Sequence, residues 1–219
     1  MKTALVIGAT GVTGKHIVSQ LLTRSDYDQV VAFSRRALPV THSKLVNHLV
    51  DFDHIDDWAD LLRGDDLFSA LGTTRKQAGS KKAQYKVDYS YQADVMHAAA
   101  GNEVSRVFLI SSPQASAESP FFYNRIKGEL DDFAATQGFQ TLVYFKPSII
   151  LGDRPDKRVA EKIGGALAAG IAKWVPGASR YRPISGEQLG NAIVSCACSN
   201  IPAGAHTYEL DEIFDLLPE

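Results

Sequence analysis

Hydrophobic positions along the chain fall into two alternating patterns. Short runs of consecutive apolar residues predict buried strands at Thr3–Ile7, Gln29–Phe33, Leu45–Val50, Leu67–Leu71, Val107–Ile110 and Thr141–Phe145. Between them, apolar residues three and four apart predict helices. The first runs from about Lys15 to Arg24 and carries Ile17, Val18, Leu21 and Leu22 on one face. Asp56 or Asp57 can cap a short helix through Leu62. A long helix is predicted over Gln84–Ala100, with Gly101-Asn102 as its stop. Another covers Phe121–Thr136 and stops at Gly138; two more cover Lys157–Ala169 and Gly186–Ser199. A last short strand is predicted at Thr207–Leu210. Continuously apolar strands alternating with helices form a parallel sheet covered on both faces. The expected architecture is therefore α/β, a doubly wound parallel sheet in one domain spanning residues 1–219. Residues from about 150 to 205 are expected to add a small C-terminal substrate lobe over the carboxyl ends of the strands, where such sheets bind ligands.

The turn after the first strand reads Gly8-Ala9-Thr10-Gly11-Val12-Thr13-Gly14. It leaves a strand and opens a helix, the context a dinucleotide-binding turn requires. A helix N-terminus offers unpaired amides and a partial positive charge to a pyrophosphate, and glycine lets the backbone come close to it. The turn therefore identifies a Rossmann-type cofactor site, with Gly8, Thr10, Gly11, Val12, Thr13 and Gly14 as candidate contacts. Twenty residues after Gly14, where NAD enzymes place an acid on the ribose 2′-hydroxyl, stand Ser34, Arg35 and Arg36. An acid there repels a 2′-phosphate, whereas a hydroxyl and two guanidinium groups bind it. The expected cofactor is NADP(H).

Tyr123 and Lys127 lie four apart on a predicted helix and share a face. None of the other seven tyrosines has a lysine four residues on. Ser111 and Ser112 end the preceding strand. A carbonyl reductase uses these three groups: a phenol to donate a proton, a lysine to lower the phenol's pKa, and a hydroxyl to orient the carbonyl.

The glycine turn, Ser34-Arg35-Arg36, Leu71-Gly72-Thr73-Thr74, Ser111-Ser112 and Tyr123-Asn124-Arg125-Ile126-Lys127 resemble the short-chain dehydrogenase/reductase superfamily. They are most similar to its atypical branch of Tat-interacting-protein-like oxidoreductases. The resemblance runs from Met1 to about Arg154. It implies that Leu71, Gly72 and Thr73 line the ribose and diphosphate side of the cofactor, and that Asp51 and Phe52 flank the adenine. It implies that Tyr123 and Lys127 are catalytic, with Lys127 also bonded to the nicotinamide ribose. Pro147, Ser148 and Ile149 pack beside the nicotinamide. Either Ser111 or Ser112 is the family serine, and Ser112, further out of the strand, is favoured. The chain is shorter than extended members of the superfamily, which argues against a nucleotide-sugar substrate.

Composition narrows the functional classes. A net charge of −2 over 219 residues argues against a nucleic-acid partner. The longest small-apolar run, Ile163–Ala172, is bounded by Lys162 and Lys173 and is too short to span a bilayer. Cys196 and Cys198 are too few for a disulfide framework, face different ways on a helix, and fit core positions in a reducing compartment. With no signal-like segment, the expected location is cytoplasmic. Asp51, Asp53, His54, Asp56 and Asp57 crowd together, but they suit a strand end and a cap, and no metal is expected. Arg75, Lys76, Lys81 and Lys82 read as a solvated basic loop. Gly164, Gly165, Ala166, Ala168, Ala169 and Gly170 form a smooth helix face for packing over the pocket or against another subunit. A monomer and a homodimer both fit. Two functions fit these residues: an NADP(H)-dependent oxidoreductase acting on a small carbonyl or alcohol, and a catalytically silent NADPH sensor working through a protein partner.

Overall fold

A computed structural model describes residues 2–152 and 178–218. Seven parallel strands form the central sheet: β1 (Lys2–Ile7), β2 (Tyr27–Ser34), β3 (Leu45–Leu49), β4 (Asp66–Ser69), β5 (Arg106–Ile110), β6 (Thr141–Lys146) and β9 (Gly204–Glu209). Their spatial order is β3-β2-β1-β4-β5-β6-β9. The chain reverses direction across the sheet between β1 and β4. In open sheets of this kind ligands bind at that junction, beyond the carboxyl ends of the strands. A second, two-stranded parallel sheet pairs β7 (Ile150–Leu151) with β8 (Ile184–Ser185).

Strand alternation sorts the core into two layers. Ala4 and Val6 of β1 face one side, together with Ile17, Val18 and Leu21 of α1 (Gly14–Thr23). Leu189, Ala192 and Ile193 of the helix Gly186–Cys198 join them. Leu5 and Ile7 face the other side with Val95 and Met96 of α4 (Tyr91–Gly101) and Leu130 of α5 (Phe122–Ala135). Between β4 and α4 lie two short helices, α2 (Arg75–Ala78) and α3 (Lys81–Tyr85). The helix Gly186–Cys198, here α6, packs tightly on α1: a Cβ added at Gly190 would come within 2.9 Å of His16.

Several elements differ from the sequence reading. The basic segment 75–82 is two capped helical turns, not a loop. Thr74 and Gln77 bond each other's backbone amides as a capping box, and Ser80 caps α3. The long helix starts at Lys81 and contains a π-helical turn over Lys86–Ser90. The stretch after Asp56 is two 3-10 turns, Ile55–Asp57 and Ala59–Leu61, without an acidic cap. Buried Trp58 breaks them apart, its indole N–H donating to the Asp51 carbonyl at 2.9 Å. β4 ends at Ser69, so Leu71 leaves the sheet. Of the residues expected in the C-terminal lobe, those of α6 pack on α1 instead, leaving only β7 and β8 in the described part of that lobe, while the last strand, β9, closes the main sheet beside β6. The predicted helix 157–169 and the small-residue face at 164–170 lie outside the described residues.

The amino ends of the central strands are tied by one buried group. Asp66, 1% exposed in its side chain, accepts from Arg106 Nε at 2.6 Å, from Arg106 Nη2, and from the Tyr27 hydroxyl. Arg106 Nη2 also donates to the Ala197 carbonyl at 3.0 Å, reaching α6. Removing one member of a buried pair strands the other, at a cost of about 3–5 kcal/mol. Asp66→Ala should therefore lower the unfolding free energy by about that amount in urea titration, with cofactor absent. A loss of less than about 1 kcal/mol would show that solvent reaches this network.

Candidate cofactor cleft and reaction site

Gly8 turns with φ 79° directly after β1, and an added Cβ would collide with the backbone of Ala70 and Leu71. A Cβ at Gly14 would collide with the Gly8 carbonyl. These glycines let α1 begin hard against the sheet. The Gly11 amide closes the turn onto the Gly8 carbonyl at 2.8 Å. No side chain caps α1, and its first turn holds no acid, so its positive end faces the cleft unneutralised. The cleft over the β1–β4 junction has a volume of about 550 Å³. Gly8, Thr10, Gly11, Arg35, Arg36, Leu71, Gly72 and Thr73 line it. Lys86 and Tyr91, not singled out from the sequence, line it too. Amides, cations and an aromatic ring around one cleft suit the phosphates and base of a dinucleotide.

Six expected contacts are placed outside the cleft lining. Ser34 is buried; its hydroxyl donates to the Arg36 carbonyl at 2.7 Å and accepts from Asn47 Nδ2 at 2.9 Å. It shapes the turn that presents Arg35 and Arg36 rather than facing a phosphate. Phe52 is buried against Trp58 and Tyr91, and it is Tyr91 that reaches the cleft. Asp51 is taken up in its own turn, bonded to the Asp53 amide at 2.9 Å and to His54. Asp53 pairs with Lys86 and accepts from the Tyr91 hydroxyl at 2.6 Å, so the acidic cluster is satisfied internally. Val12 lies against Gly186 of α6, and Thr13 is buried; neither lines the cleft. Gly14 acts through packing.

The reaction-site candidates sit on α5 and on the segment before it. The segment folds back across the helix at Gly128, where a side chain would strike the backbone of Ser116 and Ala117. Its Ser116 amide donates to the Asn124 carbonyl at 3.1 Å. Ser112 thereby borders a second pocket of about 340 Å³ with Asn124, Pro147, Ser148, Ile149 and Tyr181. Tyr123 is not among the residues lining that pocket. The two candidate serines separate. Ser111 is buried and donates to Asp131 Oδ2 at 2.8 Å, whereas Ser112 bonds only the next carbonyl, that of Pro113, at 3.3 Å. Ser111 is thus committed to α5. Ser148 donates to the Arg182 carbonyl.

Lys127 is 2% exposed, and its ammonium donates to the Ile110 carbonyl at 3.0 Å. Burial pulls its pKa down, opposed by Asp88 and then Asp131. Tyr123 keeps 42% of its surface in solvent. Burial, and then Asp88, push the phenol up to about 12. This corrects the expectation of a phenol lowered by the lysine: burial and an anion push the phenol up, and the lysine is engaged with a carbonyl. The phenol therefore carries its proton at neutral pH. Sequence reading missed Asp88 and Asp131. Asp131 was visible as an acid four residues after Lys127, and Gln84, Asp88 and Gln92 as polar residues four apart inside an otherwise amphipathic helix.

Comparison with known proteins agrees with this geometry. Residues 8–137 match the family described as NAD(P)H-binding. Protein FMP52, mitochondrial, of Candida glabrata is 31% identical over 90% of this chain and 85% of its own length. Protein fmp52, mitochondrial, of Emericella nidulans is 31% identical over 94% of this chain and 93% of its own. Among solved structures, MoeE5 in complex with UDP-glucose and NAD superposes with a TM-score of 0.69. It has 18% identity and covers 96% of this chain and 79% of that one. The Bordetella bronchiseptica enzyme WbmH in complex with NAD+ gives 0.70 at 17% identity, over 95% and 75%. At such identity the likeness is one of fold. The relatives' names correct the expected cytoplasmic location, since they are called mitochondrial. Few cysteines indicate a reducing compartment without saying which one. With the family match spanning more than half of the chain and the relatives nearly all of it, the chain belongs to the NAD(P)H-binding family.

Proposed function

We propose that the protein is an NADPH-dependent reductase of a small carbonyl compound. The reading is supported by Tyr123 and buried Lys127 standing one turn apart on α5, whose Asn124 lines the small pocket together with Ser112. Arg35 and Arg36 at the cleft favour a cofactor with a 2′-phosphate. A bound reduced nicotinamide supplies the hydride. The chain's own residues supply the rest. Ser112 holds the carbonyl oxygen. Tyr123 gives its proton to that oxygen as the alcohol forms. Lys127 places positive charge behind the phenol and near the ribose. A pocket of about 340 Å³, at the lower end of small-molecule sites, suits a small ketone, aldehyde or quinone better than a nucleotide sugar. A panel of such compounds, followed by NADPH absorbance, tests the reading; no turnover across all three classes would overturn it in favour of a silent NADPH-binding role.

Cofactor preference gives a first quantitative outcome. A hydrogen bond to a charged group contributes about 1.5–3 kcal/mol, so NADPH should bind about tenfold or more tightly than NADH. Arg35→Ala and Arg36→Ala should narrow that gap and leave NADH affinity nearly unchanged in fluorescence titration. Equal affinities in the unaltered protein would remove the 2′-phosphate from the reading.

Tyr123→Phe deletes the proton donor with little change in packing. Turnover should fall by about 10²–10⁴-fold while NADPH affinity holds. Lys127→Ala should lose turnover and weaken the cofactor as well. The sign of the pH effect follows from the raised phenol pKa. The acid form persists below that pKa and is lost above it, so kcat/KM for reduction should not decline between about pH 7 and pH 9. A basic limb near neutrality would contradict Tyr123 as the acid.

A further inference from the structure

A third cavity, of about 650 Å³, is larger than the two described above. Lys15, Val18, Ser19, Leu22 and Thr23 of α1 form one wall. At the helical rise per residue this wall runs about 12 Å from the glycine turn. The loop after β2 forms the other wall, from Arg36 through Leu38, Pro39 and Val40 to His42. Thr10 and Arg36 also line the dinucleotide cleft, so the two spaces border one another at these residues. The cavity falls within the size range of small-molecule sites. Neither the cofactor cleft nor the Ser112 pocket accounts for it.

Its loop wall is held at both ends. The Ser34 hydroxyl fixes the Arg36 carbonyl at 2.7 Å, and the Leu38 amide donates to Asn47 Oδ1 of β3 at 2.9 Å. At the far end the Lys44 ammonium donates to the carbonyls of Arg24 and Tyr27 at 2.8 and 2.9 Å, which fastens the loop to the end of α1. A cavity held open in this way loses little entropy when a ligand enters. Between the anchors the loop leaves Pro39 and Val40 exposed, Val40 to 43%. Apolar surface left in water on a fixed loop, over a hollow, marks a ligand groove. The charge in the lining has one sign: Arg36 and Lys15 stand at the end next to the glycine turn, and among the described residues no acid lines the cavity. A hydrophilic anion would leave the apolar wall uncovered, and a neutral apolar molecule would leave the guanidinium unmatched. Both demands are met by an anion with an apolar chain.

We propose that this cavity binds a fatty carboxylate, with its chain along α1 against Val18, Leu22, Leu38 and Val40 and its carboxylate on Arg36. A guanidinium pairs with a carboxylate through two parallel hydrogen bonds, and Arg36 stands where the apolar wall meets the cofactor cleft. A carboxylate seated there takes the group that a 2′-phosphate would use. The fatty anion and NADPH therefore oppose each other, and by linkage each weakens the other equally, while NADH, without the phosphate, binds as before. This opposition rests on the reading of Arg36 as a 2′-phosphate contact; the fatty-anion site itself does not.

Decanoate, kept below its micelle concentration, is the probe. Calorimetric titration into the full chain without cofactor should show one saturable site. Decan-1-ol, the same chain without the charge, should bind about tenfold or more weakly, and Arg36→Ala should weaken decanoate by about the same factor. Ser19→Glu, on the exposed side of α1, places an acid in the cavity wall; it should weaken decanoate and leave NADH affinity unchanged. Val40→Asp, on the loop wall, serves if Ser19→Glu does not fold. With decanoate saturating, NADPH should bind more weakly and NADH as before. Absence of saturable binding overturns the proposal, as does an affinity that neither Arg36→Ala nor the acid-bearing variants lower, since the chain has then lodged elsewhere. Decanoate that weakens NADH as much as NADPH overturns it too, because it then occupies the dinucleotide cleft. Equal NADPH and NADH affinities without decanoate would instead overturn the 2′-phosphate reading and leave the fatty-anion site to be decided by the variants alone.

Discussion

Gly8 takes a left-handed turn with its α-carbon against the backbone of Ala70 and Leu71, and the rest of the site depends on that approach. Only a residue without a Cβ permits it. Because β1 and β4 exit so close together, the segment Ala70–Thr73 becomes the floor of the cleft rather than a continuation of the sheet. Gly14 then packs on the Gly8 carbonyl, which starts α1 at the point where its amides face a bound phosphate. Arg35 and Arg36 enter from β2 on one side, and α5 approaches from the other. One backbone contact thus sets the glycine turn, the arginine pair and the cleft floor in a single frame.

Charge is handled differently at the two ends of the sheet. At the amino ends, Asp66 is bonded by Tyr27 and by both sides of the Arg106 guanidinium, an arrangement with good geometry that fastens β2, β4, β5 and α6 together. At the carboxyl ends, Asp88 and Asp131 each keep one buried oxygen without a hydrogen bond. Both carboxyls are pushed up by burial, and cations pull them back. The first arrangement holds the fold. The second leaves two incompletely bonded carboxyls whose charge acts on Lys127.

Solved structures that hold nucleotide sugars share this fold over nearly all of the chain. Here the residues beyond Pro147 contribute only two short paired strands to the described part of the lobe before α6 packs on α1 and β9 closes the main sheet. The pocket at Ser112 is correspondingly small, and Tyr181, Ile149 and Pro147 make part of its wall apolar.

The sequence by itself determined the strand and helix order, the parallel sheet and the dinucleotide turn, because periodicity and glycine spacing are local properties of the chain. It also placed Tyr123 and Lys127 on one helix face, and Arg35 and Arg36 at the end of β2. It could not say where side chains with several possible partners turn. Ser34, standing where a phosphate contact was expected, is spent on the Arg36 carbonyl and Asn47. Ser111 and Ser112 are equivalent as letters, and only the crossing of the 112–120 segment over Gly128 separates them. The π-helical turn at Lys86–Ser90 is invisible in a helical pattern, since it depends on Ser69 and Gln92 meeting across 23 residues. The pKa of Tyr123 likewise rises because folding buries the phenol and then sets it in the field of Asp88, while the ammonium four residues away bonds a carbonyl of β5. Tertiary structure decided these points because burial and charge act through space between segments that the sequence keeps apart.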